Sequence, residues 1–221
     1  MSIADQVAQL KQDFDDVKQA GYDEGYEKGK ASATWKDTFK ELLTYKNGQM
    51  ASLFQGTTFE EFSLKDYNDT ESATNAVNMF TGNKKLKSIT PFNTSNVTTM
   101  ATMFNECPAL TEFKGFNTGN CTNFYRTFNA CSSLVSVSLD VTSATNLNET
   151  FRLCESLENV EIEGLIKVSV SFGNSPLNKS SLDNIVEHLG AVTTATITIK
   201  DNIDMSDYED RINAKGWTLV Q

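Results

Sequence analysis

The chain has 221 residues, 39% of them hydrophobic, with 19 basic and 29 acidic side chains, enough for one globular domain and an appendage. The formal net charge of −10 excludes broad contact with nucleic acid and disfavours an anionic membrane surface, because both need clustered Lys and Arg. No apolar run reaches the roughly 18 residues of a spanning helix, and no basic start leads into an apolar core, so neither a membrane span nor a secretion signal is expected.

The first element is a helix in which Ile3, Val7, Leu10, Phe14 and Val17 recur at the alternating spacing of a coiled-coil seam, with Ser2 and Asp5 as start signals. So short a helix must gain stability from other copies or from a partner. The expectation is a homo-oligomer joined through these five residues, a trimer favoured because Phe14 at an a position crowds a dimer. An amphipathic helix folded back on the rest of the chain is the alternative. Gly21, Gly25 and Gly29 then align at a four-residue period with Tyr22 and Tyr26, a hinge or a close-packing face. A second helix carries Trp35, Phe39, Leu42 and Leu43 after Thr34 and ends at Asn47-Gly48, placed to cap the repeats that begin after it.

Those repeats are internal copies of one unit. Phe80, Phe104, Phe128 and Phe151 are each followed six residues later by Leu86, Leu110, Leu134 and Leu157, then by Ile89, Phe113, Val137 and Val160. Cys107, Cys131 and Cys154 stand three residues after their Phe, and a blurred first copy starts near Phe54. Each unit reads as a short strand, a Thr/Asn/Ser turn and one or two turns of helix ending at the Phe. One unit cannot bury both faces, so neighbours stack into a solenoid with Leu on Leu and Phe on Phe. The fold class expected is α+β: an N-terminal helix or coiled coil, a short leucine-rich-repeat-type solenoid, and a C-terminal αβ cap. The domains expected are 1–30 (attachment helix and Gly-Tyr segment), 31–52 (capping helix), 53–173 (repeats) and 174–221 (cap).

If the Leu ladder faces inward, alternation sends Ser88, Glu112, Ser136 and Asn159, with Thr90, Lys114, Ser138 and Glu161, outward as two polar ladders, the candidate binding residues. A solvated face that only spaces is the other reading. The cysteines lack paired zinc spacing and read as a buried thiol ladder. Asn-x-Thr/Ser triplets at Asn68, Asn93, Asn96, Asn120, Asn148 and Asn178 read as turn chemistry. In the cap, Leu182, Ile185, Val186 and Leu189 stripe a helix ended by Gly190. Ala195, Ile197 and Ile199 alternate as a strand, Ser206-Asp207-Tyr208-Glu209 forms a capping box, and Trp217-Thr218-Leu219-Val220 is a last strand. The single histidine, His188, has no Asp or Asn at recognisable spacing, so no catalytic residue, metal or cofactor is expected.

Residues 92–107, from Phe92-Asn93-Thr94 through Val97-Thr98-Thr99-Met100 to Met103-Phe104-Asn105-Glu106-Cys107, resemble the BspA-like leucine-rich repeats, with departures at Asn83, Thr127 and Thr150. Residues 175–189 with Lys215–Leu219 also resemble the ending of BspA-like proteins of bacteriophages and their bacterial hosts. The stretch from Gly21 to Lys30 looks like a segment near the start of many phage tail and fibre proteins. These resemblances imply a non-enzymatic virion structural protein of tail, baseplate or head fibre type. It would contact other virion proteins through its N-terminal helix and display the repeats for attachment to a host-surface glycan or protein. A bacterial BspA-like surface adhesin or interaction module is the alternative, and a wall hydrolase a third class without a supporting motif.

Overall fold

The computed structural model describes residues 50–52, 54–56, 60–63 and 73–221. These wind into a solenoid of stacked rungs. Strand β1 (Glu61–Phe62) lies parallel to β2 (Ser88–Ile89); β3 (Glu112–Phe113), β4 (Ser136–Asp140) and β5 (Asn159–Glu163) form one parallel sheet. Strands β6 (Val170–Phe172), β7 (Ala195–Ile199) and β8 (Trp217–Val220) form another, interleaved with helices α1 (Lys179–His188) and α2 (Glu209–Asn213). Parallel pairing offset by one repeat puts like over like: Phe113 faces Val137, Val137 faces Val160, and Leu139 faces Ile162. No helix among the described residues is long and apolar enough to cross a membrane.

The core follows the repeat. Leu86, Leu110, Leu134 and Leu157 are wholly buried, so Leu110 and Leu134 occupy the expected equivalent positions. The rings of Phe54, Phe80, Phe104, Phe128, Phe151 and Phe172 form one continuous stack with centroids 5.0–5.9 Å apart and planes within 19° of parallel. Each offset pair adds about 0.5–1.5 kcal/mol beyond the area it buries. Thr127 and Thr150 take the place of Met79 and Met103 by spending their hydroxyls on carbonyls. Thr127 Oγ1 lies 2.8 Å from Phe124 O, and Thr150 Oγ1 lies 2.8 Å from Leu147 O.

The α+β expectation is corrected here: the described residues are a mostly β solenoid with two short helices, α1 and α2, and no coiled coil is shown. The helical turns expected before each Phe are stacked non-helical turns. The residue two before each Phe is left-handed, at φ of 52–59° for Ser52, Asn78, Thr102, Arg126 and Glu149. So is the residue two after it, at φ of 58–76° for Gly56, Gly82, Glu106, Ala130 and Leu153. A right-handed helix cannot run through left-handed residues. Alternate amides instead point along the solenoid axis, with Thr102, Phe104 and Glu106 donating to Tyr125 O, Thr127 O and Asn129 O at 2.8–2.9 Å. The expected coiled-coil seam lies outside the described residues.

The last repeat strand is closed by side chains in place of another strand. Val160 N donates to Ser181 Oγ (2.8 Å) and Ile162 N to Asn184 Oδ1 (2.7 Å), and in the turn before the strand Leu153 N donates to Asn174 Oδ1 (3.1 Å). Helix α1 can present Ser181 and Asn184 to β5 because Asn178 caps it, accepting from Ser181 N, while Leu182, Ile185, Val186 and Leu189 are buried. The expected capping box does not form. Tyr208 stands at the N-cap of α2 and makes no side-chain cap bond, and Ser206 N donates to Asp204 Oδ1 at 3.0 Å. Trp217 is buried with its indole N–H on Gly190 O (2.7 Å), which anchors β8.

Candidate functional site

The strand face carries the expected rows in register only from β3 to β5: Ser88 lies on β2 and pairs with Glu61 of β1 in a separate sheet, and Thr90 and Lys114 fall outside the paired strands. Glu112 pairs with Ser136 and Ser136 with Asn159, while Ser138 pairs with Glu161. Glu112, Lys114, Asn159 and Glu161 are exposed; Ser88, Thr90 and Ser138 are half-buried. Ser136 is buried at 8% exposure, because its short side chain sits between the longer Glu112 and Asn159. Asn178 Nδ2 donates to Asn159 Oδ1 at 2.7 Å, extending the row from β5 onto the α1 cap. The surface is polar and of mixed charge, suited to hydrogen bonding with hydroxyls, amides or carboxylates over several rungs.

Other singled-out residues serve the scaffold. Cys107, Cys131 and Cys154 are buried free thiols, each donating to the Phe carbonyl one rung back (Phe80, Phe104 and Phe128) at 3.1–3.2 Å. Asn83, standing where Cys is expected, makes the same bond to Phe54 O at 3.0 Å. Burial pushes the thiols of Cys107 and Cys154 up to about 12 and that of Cys121 to about 11. Among the described residues no cluster of His, Cys, Asp or Glu is arranged to hold a metal ion. His188 Nδ1 rests 2.8 Å from Asn184 O, a local helix contact. Asn93 closes an Asx turn on Ser95 N, Asn178 caps α1, and Asn120 Nδ2 donates across rungs to Ser95 O. Asn68 and the expected oligomerisation residues Ile3, Val7, Leu10, Phe14 and Val17 lie outside the described residues.

A second ladder, on the turn side of the rungs, was not foreseen from sequence. Arg126 Nε donates to Glu149 Oε2 at 2.8 Å, and Arg152 Nε lies 3.8 Å from the same oxygen. The bond to Arg126 holds Glu149 below its ordinary value and raises Arg126. Arg152 Nη1 reaches Asn129 Oδ1 (3.4 Å), and Asn129 Nδ2 donates to Asn105 Oδ1 (2.7 Å). The Arg126 guanidinium lies 5.0 Å from the centre of the Tyr125 ring. The signal was present: Arg126 and Glu149 are separated by one repeat, and Arg152 comes one short turn after Glu149. Beside this ladder runs a shallow groove of about 290 Å³, lined by residues including Lys84, Glu106, Ala130, Leu153 and Glu155. An exposed ion pair, Lys84 Nζ to Glu106 Oε2 at 2.7 Å, lies along it.

Comparison with known proteins gives one result. A family model described as Mycoplasma protein of unknown function, DUF285, matches residues 48–165. That span covers the stacked rungs from Met50 through β5, in keeping with a repeat protein. No curated protein and no solved structure matches the chain.

Proposed function

With the chain a member of the family described as Mycoplasma protein of unknown function, DUF285, we propose that it is a non-enzymatic display protein of a bacteriophage virion whose repeat domain attaches to a host-surface glycan or protein. The observation that carries the display reading is the in-register polar row on β3–β5, in which Glu112 and Asn159 stand exposed on either side of the buried Ser136 and the exposed Glu161 pairs with the half-buried Ser138. Such a row offers polar groups at successive rungs, about 4.7–4.9 Å apart, and so favours an extended ligand over a small molecule. Weak contacts of this kind gain useful strength when several copies engage together. The virion part rests on the likeness of residues 21–30 to segments of phage tail and fibre proteins, with residues 1–30 holding the chain on the particle. A bacterial surface adhesin would present the same row, and particle composition separates the two.

The test has two arms. Mass spectrometry of purified phage particles should find peptides of this chain at stoichiometric level, and their absence removes the virion reading. Replacing Glu112, Lys114, Ser138 and Glu161 together with alanine should leave the fold intact and lower attachment to host cells at least severalfold. Unchanged attachment by a folded variant reduces the row to scaffold.

A further inference from the structure

We propose that the turn-side cluster of Tyr125, Arg126, Asn129, Glu149 and Arg152 binds the carboxylates of an acidic polysaccharide. Two guanidinium groups share the one carboxylate of Glu149 here, so the pair is not neutralised within its own cluster. Arg126 spends only its Nε on Glu149; the remaining N–H groups of its fork have no partner among the described residues. Arg152 likewise contacts Asn129 through Nη1 alone at hydrogen-bond distance. Both side chains are exposed, at 40% and 52%, yet held in place by Glu149, Asn129 and the Tyr125 ring. A fork fixed at its Nε with its free end toward solvent is set for bidentate capture of a carboxylate.

The surroundings choose the class of ligand. The amides that an extended peptide would need are already used: Phe124, Arg126, Phe128 and Ala130 all donate to carbonyls of the next rung, so strand addition is closed at this site. One face of Tyr125 lies against the Arg126 guanidinium. Asn129 is buried with both ends of its amide engaged, by Arg152 and by Asn105, and so positions Arg152, while the half-buried Asn105 keeps its own amide nitrogen for a hydroxyl. A chain bearing both carboxylates and hydroxyls fits this arrangement. The site is separate from the strand-face row and does not depend on it.

Calorimetry or a biosensor with the full chain and polygalacturonate as probe tests the proposal. Binding is expected, weakening as salt rises, and falling about tenfold or more in Arg126→Ala/Arg152→Ala. Arg126→Lys, which keeps the charge but loses the fork, should also bind more weakly than the native chain. Fully methyl-esterified polygalacturonate, with hydroxyls kept and charges masked, should not compete, and poly-glutamate should bind far more weakly. The strand-face variant with alanine at 112, 114, 138 and 161 should keep its affinity, which separates failure of this site from failure of the display row. Absence of polygalacturonate binding, equal binding of poly-glutamate or of the ester, or full affinity in the folded double variant would each overturn the assignment.

Discussion

The position three residues after each Phe shows how a single side chain is chosen by the stack. It must be small enough to lie inside the rung and must satisfy the Phe carbonyl one rung back, a task done by Asn83 as well as by Cys107, Cys131 and Cys154. Burial keeps these thiols neutral, so alkylation by iodoacetamide at pH 8 should be negligible in the folded chain and rapid after denaturation. The folded thiols of Cys107 and Cys154 lie at about 12 against an ordinary 9.0. The native state therefore holds protons that the unfolded chain releases, and stability should be level below pH 9 and fall as pH rises toward 12. A midpoint of unfolding that is flat across that window would contradict the buried neutral ladder. Backbone strain gives a second prediction at this scale. Ala130 sits at φ 60° where the first two rungs have Gly56 and Gly82, so Ala130→Gly should lose nothing and gain up to about 1 kcal/mol by chemical denaturation. A loss of more than about 1 kcal/mol would mean that Ala130 is not held in the left-handed region.

At the scale of the element, the closing of β5 is the step most open to test. Ser181 and Asn184 receive the amides of Val160 and Ile162, which a further strand would otherwise take. In Ser181→Ala/Asn184→Ala the two amides lose these partners, and the loss should be about 2–6 kcal/mol in urea unfolding, taking about 1–3 kcal/mol for each orphaned group. A change below about 1 kcal/mol would mean that the cap works by apolar packing alone. Strands β2 to β5, helix α1, β7 and β8 were legible in the sequence because each is set by a periodic burial pattern, such as Leu182, Ile185, Val186 and Leu189. The turn conformation was not. Its left-handed positions hold Ser52, Asn78, Thr102, Arg126 and Glu149, which share no residue type, and their geometry is imposed by axial bonds between rungs. Half of the candidate surface was legible for the same reason. Alternation placed Glu112, Lys114, Asn159 and Glu161 outward, but the burial of Ser136 depends on the length of its neighbours across the sheet, and the Arg126–Glu149 pair on two rungs meeting.

For the whole molecule, one stack of Phe rings from Phe54 to Phe172 and one register from β3 to β5 make the described repeats a single quasi-one-dimensional body. Stability is then the sum of rungs and the interfaces between them, and a display surface can lengthen or shorten without change of fold. The measurement that bears most directly on this is removal of one complete rung. Deleting residues 105–128 joins Phe104 to Asn129, the counterpart of Asn105, and brings Phe104 beneath Phe151 in the ring stack. Deleting only residues 105–116 throws every later position out of register. Circular dichroism and urea unfolding should show the full-rung deletion folded and cooperative with a lower midpoint, and the half-rung deletion unfolded. Loss of folding in both, or equal stability of the two, would contradict a solenoid built from interchangeable stacked rungs.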